Sequence, residues 1–330
     1  MNRIAVIIRH IPMALVLLLS AGLLHASPGT DAFTEGQLDQ AKKLLSAEVR
    51  IDDDVNKRIL LGQIEMRQGE FKKALEVFET AAKQHPQNAE AQYWVGASAG
   101  TLAGNASIFK AAGHAKKARR AFEKTIELDP EHYEGHEGLV MYYLQAPGFL
   151  GGDKDEALAL AMKTVSFEPI NGRLLLASVY QQTKKPKKRA AVFEELMTIA
   201  PNDPRAFVNI GFAEQAEDNY AAAHDAFSKA AATTAEGEDA EISRQSARYQ
   251  VGRTAVFSEE RMSAGIASLT AYLEGPVNDN QLPGKDWATF RRGQLYALAG
   301  DTAAAKRDFM SAKGMTEDKN LLSEIKKATR

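Results

Sequence analysis

Phe71-Lys72-Lys73-Ala74-Leu75-Glu76-Val77-Phe78-Glu79-Thr80-Ala81-Ala82-Lys83-Gln84-His85-Pro86 is the stretch on which the fold turns. Within it Ala74, Phe78, Ala81 and Pro86 stand four, three and five residues apart. The same spacing returns at Ala118, Phe122, Thr125 and Pro130, and at Ala157, Ala161, Thr164 and Pro169. It returns more loosely at Arg189, Phe193, Leu196 and Pro201. Ala223-Phe227-Ala230 and Ala305-Phe309-Ala312 keep the helical part and lose the proline. Recurrence at a period of about 34 residues marks a stack of structural repeats. Such stacks present an extended surface rather than a catalytic pocket.

Each copy reads as the second helix of an antiparallel pair. In the first, one helix is expected over 53–67 and carries Leu61-Gly62, Gly69 breaks the chain, and a second helix runs over 71–84. Ala74, Phe78 and Ala81 then share one face of that second helix. The small residues let the paired helices approach, the phenylalanine fills the gap to the next pair, and Pro86 ends the unit because it has no amide to donate.

This series resembles the tetratricopeptide repeat family, whose first helices carry a matching glycine. Here the matches are Leu61-Gly62, Val95-Gly96, Ile210-Gly211, Val251-Gly252 and Gly293 followed by Tyr296. The resemblance implies an all-α solenoid of about seven helical hairpins, near 55–88, 89–132, 133–169, 170–203, 204–239, 240–277 and 285–316. A half-repeat at 34–50, with Thr34 and Gln37 as a capping box, is expected before them, and a capping helix at 321–328 after them. The two halves of the fourth unit disagree in register by about two residues. Two units are lengthened: the second by an Ala/Gly-rich insert over 100–116, the third by Pro147-Gly148-Phe149-Leu150-Gly151-Gly152-Asp153. Both inserts resemble those of a group of exported bacterial tetratricopeptide proteins without a settled activity. The stretches 233–241 and 274–285 read as linkers that divide a body over 34–230 from a looser C-terminal segment.

The first 26 residues stand apart from the repeats. Arg3, Arg9 and His10 precede a mostly apolar run from Ile11 to Leu24, and Ala26 offers a small residue for cleavage before Ser27. That layout is a secretory signal peptide, and the run is too short for a membrane span, which needs about 20 residues. The chain is therefore expected to be exported, most simply to the periplasm of a Gram-negative bacterium, with no integral membrane segment after cleavage. It has no cysteine, so neither a disulfide nor an N-terminal lipid-modified cysteine is available. Of its 330 residues, 41 are basic and 43 acidic. Loss of Arg3 and Arg9 with the leader deepens that balance, which opposes a nucleic-acid partner.

Several local clusters have ordinary readings. Gly151-Gly152-Asp153 lacks the sequence of a phosphate loop, and Asp153 reads as a helix cap with Glu156 behind it. Phe149 and Leu150 either tuck against their own hairpin or stand out as a loop contact. His132 and His136 share a helical spacing but lack the zinc-peptidase order. The basic runs 116–120 and 184–189 read as solvated faces. No nucleophile–base–acid set or carboxylate pair assembles, so neither catalysis, a cofactor nor a metal is expected.

What the resemblance implies for function is a concave groove lined by first-helix residues at fixed offsets. On this chain they include Asn56, Ile59, Gln63 and Met66, Ser178, Gln215, Tyr249, Val256 and Gln294. The candidate partner contacts are Arg67, Tyr93, Glu137, Gln181, Arg205, Phe212, Arg253 and Phe290. A mixed lining of rings, amides and arginines suits a protein or peptide partner. The Lys/Asn set with which one subtype of the family clamps a terminal carboxylate is not found. The expectation is a non-catalytic adaptor. The alternative is an envelope assembly factor acting by self-association or by docking of the Phe149-Leu150 loop.

Overall fold

The computed structural model describes residues 27–106, 108–276 and 282–329. The leader reading, on residues 1–26, lies outside them. Two helices come first, α1 (Pro28–Thr34) and α2 (Leu38–Glu48). Four helix pairs follow in sequence: α3 (Val55–Arg67) with α4 (Phe71–Gln84), α5 (Ala89–Asn105) with α6 (Ile108–Leu128) and α7 (Tyr133–Gln145) with α8 (Lys154–Thr164) as packed hairpins, then α9 (Pro169–Gln182) and α10 (Pro186–Ile199). Three more are α11 (Pro204–Gln215) with α12 (Tyr220–Ala231), α13 (Glu238–Ser258) with α14 (Met262–Glu274), and α15 (Lys285–Leu298) with α16 (Thr302–Met315). The last helix is α17 (Lys319–Ala328). No strand occurs among the described residues.

The chain forms two compact units that divide between Arg189 and Ala190, inside α10, and not at the 233–241 linker. In the first unit α3 packs on α4, α4 on α5 and α5 on α6, and the first helices α3, α5, α7 and α9 also touch in sequence. In the second, α11, α13 and α15 form the corresponding row. Each row is a continuous face made of first helices alone.

One contact recurs through both units. A Cβ on Gly62 would stand 2.3 Å from the Phe78 ring, on Gly96 2.5 Å from Phe122, on Gly211 2.5 Å from Phe227, and on Gly293 2.8 Å from Phe309. No side chain fits those gaps. Phe122 is held from two sides, since a Cβ on Gly138 of α7 would approach it to 2.6 Å. In the sixth hairpin Leu269 replaces the ring against Gly252. Phe78 and Phe227 are fully buried, each contributing about 1.5–3 kcal/mol of apolar burial.

The hairpin turns are equally regular. At Gly69 (φ 75°) and Gly300 (φ 84°) the chain enters the left-handed region. The next amide reaches back five residues, Glu70 N to Glu65 O at 2.8 Å and Asp301 N to Tyr296 O at 2.9 Å. This is the Schellman closure that glycine favours. Lys184 (φ 56°) and Asp218 (φ 58°) make the same turn without glycine.

Three expectations are corrected, and the two inserts prove helical. The capping box lies at Ser27 and Thr30, whose side chains and amides pair reciprocally; Thr34 sits inside α1, and Gln37 makes no side-chain cap. The 34–50 half-repeat is thus a helix pair that begins at Pro28. The insert over 100–116, whose shape the sequence leaves open, is largely helical: it lengthens α5 to 17 residues and α6 to 21. Pro169 opens α9 instead of closing the hairpin before it. The 147–153 turn is a short 3-10 helix, Gly148–Leu150, and a Cβ on Gly152 would overlap the Ala146 carbonyl. Asp153 caps α8 through the amides of Asp155 and Glu156 at 2.9 and 3.2 Å.

Candidate binding faces

On the first unit's face the residues that gather are Glu90 and Tyr93 of α5 with His132, Tyr133, Glu134 and Glu137 around the start of α7. Tyr93 lies 5.4 Å from the His132 ring and 5.2 Å from Trp94. His132 precedes α7, and its Nδ1 accepts the Gly135 amide at 3.2 Å. Its Nε2 faces Glu90 at 3.1 Å, while Nδ1 also lies 3.3 Å from Glu134. Burial opposes a charge on this ring, but the two carboxylates outweigh it and push its pKa up to about 9. When protonated, the ring donates to both carboxylates and gives up the cap.

Glu137 stands open to solvent within a crowded setting. Burial by surrounding protein, then the charge of Glu134, raise its carboxyl to about 7. Its hydrogen-bond partner is the Tyr133 hydroxyl, at a long 3.5 Å. Burial and the same glutamates raise the pKa values of Tyr93 and Tyr133, which stay protonated donors. The face is acidic and phenolic, suited to cations and hydrogen-bond donors. Gln181 is exposed on α9. Arg67 lies 4.5 Å over the Phe33 ring and so packs the N-terminal helix pair. Asn56 is exposed, whereas Ile59, Gln63 and Met66 are buried in the hairpin and do not reach the face.

The second unit's face has the opposite character. Tyr249, Arg253 and Phe257 recur every fourth residue on α13, and Trp287, Arg291, Gln294 and Leu298 form a stripe on α15. The Arg253 guanidinium lies 4.9 Å from the Phe257 ring centroid. Arg291 lies 5.5 Å from the same ring and 5.4 Å from Trp287. Their hydrogen-bond partners are amides: Gln215 and Gln250 for Arg253 at 3.4 and 3.3 Å, and Gln294 for Arg291 at 2.8 Å. Burial, aided by the charge of Arg291, lowers the Arg253 pKa.

Two expected contacts fall elsewhere. Arg205 is spent on its own helix cap, with Nη2 2.6 Å from Asp203 Oδ2. Phe290 is 1 % exposed, packed with Phe309 and Leu321 in the core. The charge of that turn belongs to its neighbour Arg291, half-buried one position further along α15. Phe212 is 37 % exposed and meets Phe227 edge-on. Arg291, Trp287 and Phe257 were missed by the offset rule; the four-residue spacing shared by α13 and α15 was the available signal.

Phe149 is 84 % exposed, while the Leu150 carbonyl accepts from the Tyr142 hydroxyl. The two histidines diverge: His132 joins the face, and His136 is buried, with Nε2 2.8 Å from the Pro130 carbonyl. Among the described residues no group of three metal-ligating side chains converges, and no helix is long and apolar enough to cross a membrane.

Family models described as tetratricopeptide repeats match residues 59–112 and 103–165, and a further one matches 170–203. No curated protein matches the chain. Among solved structures it is similar to a tetratricopeptide repeat protein from Parabacteroides merdae, at 17 % identity over 90 % of this chain and 94 % of that one, with a TM-score of 0.49. It is also similar to a thermophilic tetratricopeptide protein of Thermus thermophilus, at 19 % identity over 56 % and 94 % of the two chains and a TM-score of 0.47. A crystal structure of MamA aligns at 19 % identity over 53 % and 95 %, with a TM-score of 0.42. The repeated glycine–phenylalanine hairpins and the matched repeat models together show that this chain carries tetratricopeptide repeats, matched over 59–165 and 170–203.

Proposed function

We propose that this chain is an exported, non-catalytic scaffold that binds a protein or peptide partner on the faces built from its first helices. The observation that carries the reading is the Arg253/Arg291 cluster, two half-buried charges with amide partners beside an exposed Phe257. Solvated scaffold surface has no reason to hold charges in that state, because desolvating an ion without an opposite charge is costly. Export is supported by the leader-like residues before Ser27, and the non-catalytic role by the habit of helical repeats to work through surfaces.

The test is recovery of partners from periplasmic extract with the wild-type chain and with a variant carrying Glu137→Lys and Arg253→Glu. Loss of a specific partner with the variant is the expected result. Equal recovery by both baits removes the faces from consideration. An N-terminus at Ser27 on the purified protein is the result expected for export; an intact Met1 in the cytoplasmic fraction contradicts it.

The exposed Phe149 favours a second reading, assembly by loop docking or self-association. Native mass spectrometry of the wild type and Phe149→Ser decides it: a wild-type oligomer that dissociates in the variant supports assembly, and monomers in both contradict it.

A further inference from the structure

In the second unit every other half-buried arginine has a carboxylate. Arg205 meets Asp203 at 2.6 Å, Arg244 meets Glu241 at 2.7 Å, Arg248 meets Glu241 at 3.4 Å, and Arg292 meets Asp308 at 2.7 Å. Arg253 and Arg291 make no ion pair among the described residues, yet they converge on one ring, Phe257. Arg291 Nε is buried and has no hydrogen-bond acceptor. The groups facing them are Tyr249, whose hydroxyl neighbours Arg291, and Tyr220, whose hydroxyl is already turned to Asp218 at 3.1 Å. A guanidinium presents five donors; here most have no protein acceptor, and an aromatic wall holds the fork in place. The cost of keeping two like charges together is recovered when an anion arrives.

Resting on the reading that this face binds a partner, we infer that the Arg253/Arg291 cluster receives internal acidic side chains of an extended partner segment, with an apolar partner residue against Phe257. Three features select a peptide. Phe257 is 46 % exposed and Leu298 41 % exposed, so apolar area accompanies the charges. Gln250 and Gln294 turn their amide oxygens to the arginines, so their NH2 groups can donate to a peptide backbone. The cations are arginines held flat against rings, a geometry that favours planar carboxylates.

The test uses the purified full chain and a short fluorescent peptide alternating glutamate and phenylalanine, capped at both ends so that no terminal carboxylate contributes. Its lysine–phenylalanine counterpart, inorganic polyphosphate and anionic phosphatidylglycerol vesicles are the comparison probes. The acidic peptide is expected to bind in a salt-dependent manner. Arg253→Gln with Arg291→Gln should weaken it about tenfold or more, the scale of losing charge-assisted hydrogen bonds. Arg291→Lys should lose part of that affinity, and Lys117→Gln, on the first unit, none. Circular dichroism melts of the variants separate lost binding from lost folding; if the double variant melts early, Arg291→Lys alone carries the comparison. Equal binding by wild type and the folded variants, binding of the lysine peptide as tightly, or preference for polyphosphate or vesicles overturns the inference. The failure of the broader reading looks different: there, no partner crosslinks to this face. A partner that crosslinks here through a segment without acidic residues overturns this inference alone.

Discussion

The two units build the same frame and finish it with opposite chemistry. Gly96 against Phe122 in the first and Gly211 against Phe227 in the second are the same joint, with gaps of the same size. Above those joints the first unit gathers Glu90, Glu134 and Glu137 around Tyr93 and His132, and the second gathers Arg253 and Arg291 around Phe257. Charges are managed differently too. In the first unit a histidine lies between two carboxylates. In the second, the arginines are left with amides. The joints therefore set where a face is, and the residues one turn away set what it attracts.

The largest expected effects break the frame and should be alike in both units. Phe122→Ala and Phe227→Ala are each expected to cost about 3–5 kcal/mol, because a cavity opens where a glycine has made room for the ring. Chemical denaturation with helicity as the readout checks this. A loss in one unit only would show that the shared joint is not structurally equivalent.

Next in size, pH separates the faces. The His132 pKa is raised to about 9, so its stabilising charge is fully present below the unfolded value of about 6.5 and is lost as pH rises through about 9. His132→Asn keeps a helix cap and should flatten the decline in melting temperature between those values. Glu137 works the other way. Its pKa is raised to about 7, so the folded state holds the proton more tightly and stability falls as pH rises from about 4.5 toward 7. Glu137→Gln should remove that fall, by about 1 kcal/mol or less because solvent screens this exposed side chain. Neither change should alter acidic-peptide binding at the arginine face. A melting profile that His132→Asn leaves unchanged would refute the first assignment.

The smallest effects are expected at Arg205 and Phe149. Arg205→Gln loses a cap ion pair and should cost about 1 kcal/mol or less, with no change in binding at the arginine face. Phe149→Ser, at a position 84 % exposed, should change stability by less than about 0.5 kcal/mol. A large loss at Phe149 in a melt would mean that its ring is covered.

Much of the frame was legible, because a small residue, a phenylalanine and a facing glycine are dictated by the close approach of two helices. The N-terminal cap was not, since Ser27 and Thr30 satisfy each other locally while Thr34 and Gln37 carry the same residue types. The insert over 100–116 could be placed but not shaped from sequence, because alanine favours a helix while its glycines do not; in the fold it lengthens α5 and α6. Tyr93, Glu137 and Arg253 lie on the faces the offsets pointed to. Phe290 does not: successive helical positions point about 100° apart, so a groove position read one residue off exchanges the half-buried Arg291 for a core ring. Pairing was only partly legible: Asp203 stands two residues before Arg205 and pairs with it locally, whereas that Arg253 has amides and, among the described residues, no carboxylate beside it shows only in the fold.

Site-specific photocrosslinking in living cells tests most directly whether the first-helix faces are where this protein meets its partner. A crosslinker at Gln181 or Gln294 is expected to capture a discrete protein that one at Lys124 or Met310, on the second helices α6 and α16, does not. Capture from α6 or α16, with nothing taken at Gln181 or Gln294, would contradict the account.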